Sequence, residues 1–216
     1  MKASDTLFER ASSVAMKQKF ENGTTFYAKG DPPAGLYYVR SGLVKLSRGS
    51  RKKTQILALL GQGEIFGAES LFQGAPCPWT AQAVSQGEVL YLAPEMLEQV
   101  VSENPEMLSA FLELVWQRLH EFTNLVHGLA FRDVRARLAG VLVQLATLDG
   151  SPVDEGVCIK RTLSQQDLAS MVGTAREVVN RTLKRFEQEG LLRISSEEIL
   201  LLDYPEIERI AVEEVR

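Results

Sequence analysis

"TAREVVNRTLKRFEQEGLL", residues 174–192, sets Arg176, Glu177, Arg181, Lys184 and Arg185 inside its first twelve positions, in a chain whose net charge is −4. At about 100° per residue a helix here gathers Val178, Val179, Thr182, Leu183 and Phe186 on one side. Glu177, Asn180, Arg181, Lys184 and Arg185 fall roughly opposite, with Arg176 at the edge. One face is built for packing and the other for something outside.

The residues just upstream extend the pattern to "LSQQDLASMVGTAREVVNRTLKRFEQEGLL", residues 163–192. Ser164 is a good N-cap with Asp167 three positions on, a near capping box, and Leu168 and Val172 give the first helix an apolar face. Gly173 ends that helix, and Thr174 is expected to cap the second. Helix, glycine turn and a second helix with a charged outer face make a helix-turn-helix, whose second helix enters the DNA major groove. "LLRISSEEILLLD", residues 191–203, follows as a two-stranded hairpin, the wing of a winged helix.

The residue types suit that role. An arginine fork matches the two acceptors of guanine, glutamate accepts from the cytosine amino group, and flanking Lys and Arg neutralise phosphates. The competing reading is a solvated face of i,i+4 pairs such as Glu177 with Arg181. Charge distribution favours a focused anionic partner: from Lys160 to Arg193 seven Lys/Arg face four acids, whereas beyond Arg193 seven acids face two arginines.

The 216 residues, 45% hydrophobic, are enough for one large domain or two small ones. No run resembles a membrane span or a signal peptide, so a cytoplasmic location without membrane partners is expected. Cys77 and Cys158 alone provide neither a disulfide framework nor a CxxC pair, and buried or idle thiols are expected. No GxSxG, HExxH, P-loop or dinucleotide fingerprint occurs, which argues against an enzyme.

Residues 20–92 alternate short β-prone runs (36–39, 43–46, 55–60) with turns at Gly30-Asp31-Pro32-Pro33, Ser41-Gly42, Gly49-Ser50 and Gly61-Gln62-Gly63, as in a barrel or sandwich. From Asn104 and Pro105 a helix is expected. Leu108, Leu112, Val115, Leu119, Phe122, Val126 and Leu129 recur at spacings of 4 and 3 through three heptads, the seam of a parallel or near-parallel homodimer. The alternative is a long helix lying on its own barrel. His120 and His127, seven apart and one step off the seam, are expected as solvated flank residues, since no carboxylate or cysteine joins them at a ligand spacing; no metal site is expected. Phe131-Arg132-Asp133 breaks the heptads, residues 134–146 resume a helix, and Asp149-Gly150-Ser151-Pro152 is expected to be a loop.

This order of elements, with S-x-x-x-L-A-x-x-V-G-x-x-R-E-x-x-x-R-x-L spanning Ser164 to Leu183, resembles the cyclic-AMP receptor protein and fumarate–nitrate regulator (CRP/FNR) family of bacterial transcription factors. The resemblance covers roughly residues 20–205. It implies an α+β chain: a cyclic-nucleotide-binding-like β-barrel over 1–103, a coiled-coil dimerisation helix over 104–131 and a winged helix-turn-helix over 132–216. It implies base contacts by Arg176, Glu177 and Arg181 in each half of a two-fold symmetric operator, with Ser164, Thr174 and Lys184 near phosphates, and RNA polymerase as a partner in activation. Gln165 stands where a basic residue is common in the family, and the wing tip Ser195-Ser196-Glu197-Glu198 is acidic. Few DNA contacts are expected from that wing.

The family's phosphate cassette, a glycine and glutamate followed by an arginine and a hydroxyl residue, corresponds here to "FGAESLFQGAPCPWTAQA", residues 66–83. Ala68 follows Gly67, the glutamate comes one place late at Glu69, and the arginine and hydroxyl positions fall near Cys77 and Pro78. No Lys or Arg occurs between Thr54 and Gln117. Gly67, Ala68 and Glu69 remain the candidate effector pocket, through backbone amides. The expectation is therefore no cofactor, cyclic nucleotide disfavoured, and a regulator that works without cyclic AMP. The alternative is an effector-dependent regulator of the same build, with Arg118 or a cation of the partner helix meeting the ligand.

Overall fold

The computed structural model describes residues 15–32, 34–50, 53–68, 74–96, 102 and 107–214. Among the described residues eight short strands come first: β1 Met16–Phe20, β2 Thr25–Tyr27, β3 Leu36–Ser41, β4 Val44–Gly49, β5 Thr54–Leu60, β6 Ile65–Phe66, β7 Thr80–Ala83 and β8 Gly87–Leu92. They form two antiparallel four-stranded sheets, ordered β1-β8-β3-β6 and β2-β7-β4-β5. Alternation along each strand sends one set of side chains inward, and both sheets contribute to one core: Phe20, Tyr37, Val39, Phe66 and Val89 from the first, Tyr27, Val44, Leu46, Leu60 and Ala81 from the second. Tyr37 stacks on Phe66 with centroids 4.8 Å apart, and Phe26 meets both edge-on. Burial, then the neighbouring Tyr91 and Cys77, push the Tyr37 hydroxyl up to about 12, so it stays neutral. The turn after β6 needs glycine: Gly67 has φ +94°, and a Cβ there would sit 2.1 Å from the Gly35 carbonyl oxygen.

Helix α1 spans Met107–Phe131 and α2 Val134–Asp149. Between them Asp133 caps α2 by accepting from the Ala136 N–H at 2.7 Å, so the break in the heptads is a helix boundary. The chain divides into two compact units, Met1–Phe122 and Thr123–Arg216, with the division inside α1.

In the second unit α2 is followed by β9 Gly150–Val153, β10 Gly156–Lys160, α3 Gln165–Val172, α4 Arg176–Gln188, β11 Leu192–Ile194, β12 Glu198–Leu201 and α5 Tyr204–Ala211. One expectation is corrected here. Residues 150–152 are strand rather than loop, because the chain turns only at Asp154-Glu155 and β9 pairs with β10. The expected wing hairpin is present as β11–β12, and it forms half of a four-stranded sheet ordered β11-β12-β10-β9, in which Ile159 faces Ile199. The core beneath the helices includes Leu138, Leu142, Leu168, Val172, Val179, Leu183 and Phe186. Phe186 is fully buried, which stabilises the docking of α4 by about 2 to 3 kcal/mol.

Candidate nucleic-acid interface

Helix α3 starts with a complete capping box. The Ser164 hydroxyl accepts from the Asp167 N–H at 3.0 Å and donates to Asp167 Oδ2, which also accepts from the Ser164 N–H. Helix α3 ends at Gly173, whose left-handed φ of 75° favours glycine and whose N–H bonds the Ala169 carbonyl. The expectation that Thr174 caps α4 is corrected: its own N–H is drawn back to Ala169, and the N-cap is Ala175, with no side-chain hydrogen bond. The N-terminus of α4 is therefore uncapped by any side chain, with exposed Ala175, Arg176 and Glu177 around it.

The two faces of α4 fall as the periodicity requires, with Val179, Leu183 and Phe186 buried and Val178 and Thr182 half-buried. Arg176, Glu177, Arg181, Lys184 and Arg185 are exposed, and Asn180 is half-buried. Glu177 and Arg181 do not pair; neither they nor Lys184 has an ion-pair partner among the described residues. Arg176 Nε lies 3.3 Å from Gln165 Oε1 on α3, which orients its fork. Arg185 instead pairs with Glu189 at 2.9 Å. Other cations of the segment are also engaged: Arg161 donates to the wing-tip carbonyls of Ser195 and Ser196, and Arg193 pairs with Glu155. On α4 itself, Arg176, Arg181 and Lys184 are therefore the cations with no ion-pair partner among the described residues. The wing tip, residues 195–198, is exposed and acidic.

Sequence reasoning did not find the orienting role of Gln165 or the Glu189 partner of Arg185. The first joins residues eleven apart across the turn; the second was legible as an i,i+4 spacing, four residues from Arg185.

On α1 the residues split between two faces. Phe111 is buried against the barrel, and Phe122, expected on the seam, is half-buried with its ring edge-on to Trp79 at 5.6 Å. About 1100° of rotation from Phe111 brings Phe122 back to the barrel side. Leu112, Val115, Leu119, Val126 and Leu129 are exposed, as is Trp116, which the heptad pattern did not include. The Leu108 side chain lies outside the described residues. His120 is exposed, while His127 approaches Glu214 at 3.3 Å and packs on Phe131. Among the described residues no cluster of three His, Cys, Asp or Glu could hold a metal. None of the described helices is long and apolar enough to cross a membrane.

A cavity of about 740 Å³ lies between the barrel wall and α1, lined by Phe66, Ala68, Trp79, Phe111, Arg118 and Phe122 among others. Gly67 is buried, Ala68 reaches the cavity, and Glu69 lies outside the described residues. Cys77 is shut inside the barrel core with its Sγ 3.4 Å from the Pro32 carbonyl. Arg118 does reach the cavity wall, but its guanidinium is held by Glu121 at 2.5 Å and by the Ile65 carbonyl at 3.4 Å. Burial and the Glu198 carboxylate push the Cys158 thiol above its ordinary value, leaving it a poor nucleophile.

A family model for the cyclic nucleotide-binding domain matches residues 17–104, and one for the Crp-like helix-turn-helix domain matches residues 136–210. A global nitrogen regulator of Nostoc sp. is 31% identical over 185 residues, 84% of this chain and 83% of the relative. The chain belongs to the CRP/FNR family. It is a DNA-binding transcription regulator, as that family's members are. A cAMP-activated global regulator of Mycobacterium tuberculosis is 29% identical over 193 residues, covering 89% of this chain and 86% of its own. Among solved structures, a CRP/FNR-family regulator from Thermus thermophilus has a TM-score of 0.79 at 25% identity, covering 93% of this chain and 100% of its own. A c-di-GMP-responsive regulator from Xanthomonas campestris has a TM-score of 0.77 at 27% identity, covering 91% and 98%. The helix-turn-helix built by α3 and α4 lies within the second match, and the barrel wall of the cavity within the first, while α1 begins beyond it.

Proposed function

We propose that this regulator binds a two-fold symmetric operator as a homodimer, in the cytoplasm, and needs no cyclic AMP to do so. The observation that carries the DNA reading is the outer face of α4, where Glu177, Arg181 and Lys184 are exposed with no partner among the described residues and Arg176 is aimed by Gln165. A solvated helix face would satisfy such charges with its own i,i+4 pairs. Arg176, Glu177 and Arg181 read base edges and Lys184 neutralises a phosphate. Thr174, its hydroxyl not used as a cap, stands by the uncapped α4 amides, which suit an anionic phosphate. Ser164, its hydroxyl hydrogen committed to Asp167, sets α3 against the backbone rather than donating to it.

The exposed row Leu112, Val115, Leu119, Val126 and Leu129 supports pairing through α1, since so long an apolar stripe is costly in water. The functional divisions follow: sensor barrel 1–103, dimerisation helix 104–131 and DNA-binding domain 132–216, with RNA polymerase as the partner in activation. Independence from cyclic AMP is supported by the cavity walls, where among the described residues Glu64 and Glu121 outnumber Arg118, and by the burial of Cys77, near which the family's arginine position falls. The 740 Å³ cavity favours one second reading, an effector without a phosphate that is bound by its apolar walls. Genome-wide mapping of bound DNA tests the main reading. Palindromic sites are expected, and their absence would refute it.

A further inference from the structure

The outer rim of α4 holds one cation that the DNA reading does not use. Arg185 is 68% exposed, yet its Nε is bound by Glu189 Oε1 at 2.9 Å. Glu189 caps the end of α4 and is gripped from the other side by Arg135 of α2, with Nη1 to Oε1 at 2.9 Å and Nη2 to Oε2 at 2.6 Å, a two-pronged fork. Arg135 is pinned in turn, its guanidinium carbon lying 4.9 Å over the ring of Phe186, itself fully buried. An isolated exposed Arg–Glu pair contributes little and opens readily to a competing phosphate. This carboxylate is held by two guanidiniums, one of them stacked on the core, so it does not swing away when DNA approaches.

We infer that the Arg135–Glu189–Arg185 triad withholds Arg185 from the DNA backbone, with Arg135 and Glu189 as positioning residues that limit how many phosphates α4 neutralises. The consequence is a regulator whose non-specific affinity is kept down while base reading is untouched. Sequence-independent binding scales with the phosphates neutralised, so one cation fewer lowers attachment to random DNA and leaves the operator's base contacts in place.

The inference rests on the DNA reading, and the experiment separates the two. Binding of the full chain to a random duplex is followed over a range of salt for wild type, Glu189→Gln, Arg185→Ala and the double variant Glu189→Gln/Arg185→Ala. Thermal melts run in parallel confirm that each is folded. Glu189→Gln frees Arg185, so the slope of log affinity against log salt steepens by about 0.9 per chain and random-DNA affinity near 0.1 M salt rises roughly eightfold per chain. Arg185→Ala leaves the wild-type slope unchanged, and the double variant returns to it. A merely structural role for Glu189 would weaken binding instead of strengthening it. An unchanged or shallower slope in Glu189→Gln overturns the inference, as does a steeper slope that persists in the double variant. Wild-type binding with no salt dependence at all would remove the DNA reading and this inference together.

Discussion

Arg176 and Lys184 lie on the same helix face, yet their expected roles differ in a measurable way. Arg176→Ala should cost about 1 to 3 kcal/mol on the operator and relax the choice of base at one position per half-site, as binding to a randomised site library would show. Lys184→Ala should weaken all duplexes alike and flatten the salt slope by about one unit per chain. Equal losses on operator and random DNA for Arg176→Ala would make it a positioning residue. Gln165→Ala should reproduce part of the Arg176 effect, because the 3.3 Å contact is what orients that fork. The charged residues of α4 were legible in the sequence because helical period alone separates them from Val179, Leu183 and Phe186. The Glu189 partner of Arg185 was legible as an i,i+4 spacing, but Gln165 and Arg135 were not, since they meet α4 and its cap through tertiary contacts that periodicity does not encode.

Helix α1 carries two faces that a single heptad count merges. Phe111, Arg118 and Phe122 turn toward the barrel, while Leu112, Val115, Leu119 and Val126 form the exposed row. The helix lies on its own barrel and leaves an exposed apolar stripe. The test of pairing belongs on the stripe alone. Leu119→Glu with Val126→Glu should convert a dimer to a monomer in sedimentation without altering the barrel, because unpaired carboxylates in an apolar seam cost several kcal/mol. A variant still dimeric would place the interface elsewhere. Strands β3 to β5 were legible from β-prone runs between glycine turns, and the α1–α2 boundary from Asp133. Strand β9 was not, because Gly150-Ser151-Pro152 has turn composition and is strand only through pairing with β10. Thr174 misses the cap position by one place: its N–H closes the end of α3 onto Ala169, and the N-cap of α4 is Ala175.

At the scale of the whole molecule, the question is whether a ligand beside α1 could change what α4 does some distance away in the chain. A nucleotide promotes DNA binding only by its difference in affinity between two states, and for cyclic AMP that difference ordinarily comes from charge-assisted contacts to the phosphate. This chain offers Ala68 at the cavity and places Cys77 inside the core, 2% exposed. Arg118, the one cation among the described residues that line the cavity, is already bonded to Glu121 and Ile65, so recruiting it would mean breaking the 2.5 Å contact with Glu121. Calorimetric titration with cyclic AMP should therefore give no binding in the micromolar range, and operator affinity with and without the nucleotide should agree within error. Glu121→Gln provides the sharper arm: by releasing Arg118 and removing one carboxylate from the wall, it should raise affinity for the nucleotide from undetectable toward measurable. If the wild-type chain gained tenfold in operator affinity on adding cyclic AMP, the two sites would be coupled by about 1.4 kcal/mol and independence from the nucleotide would be refuted.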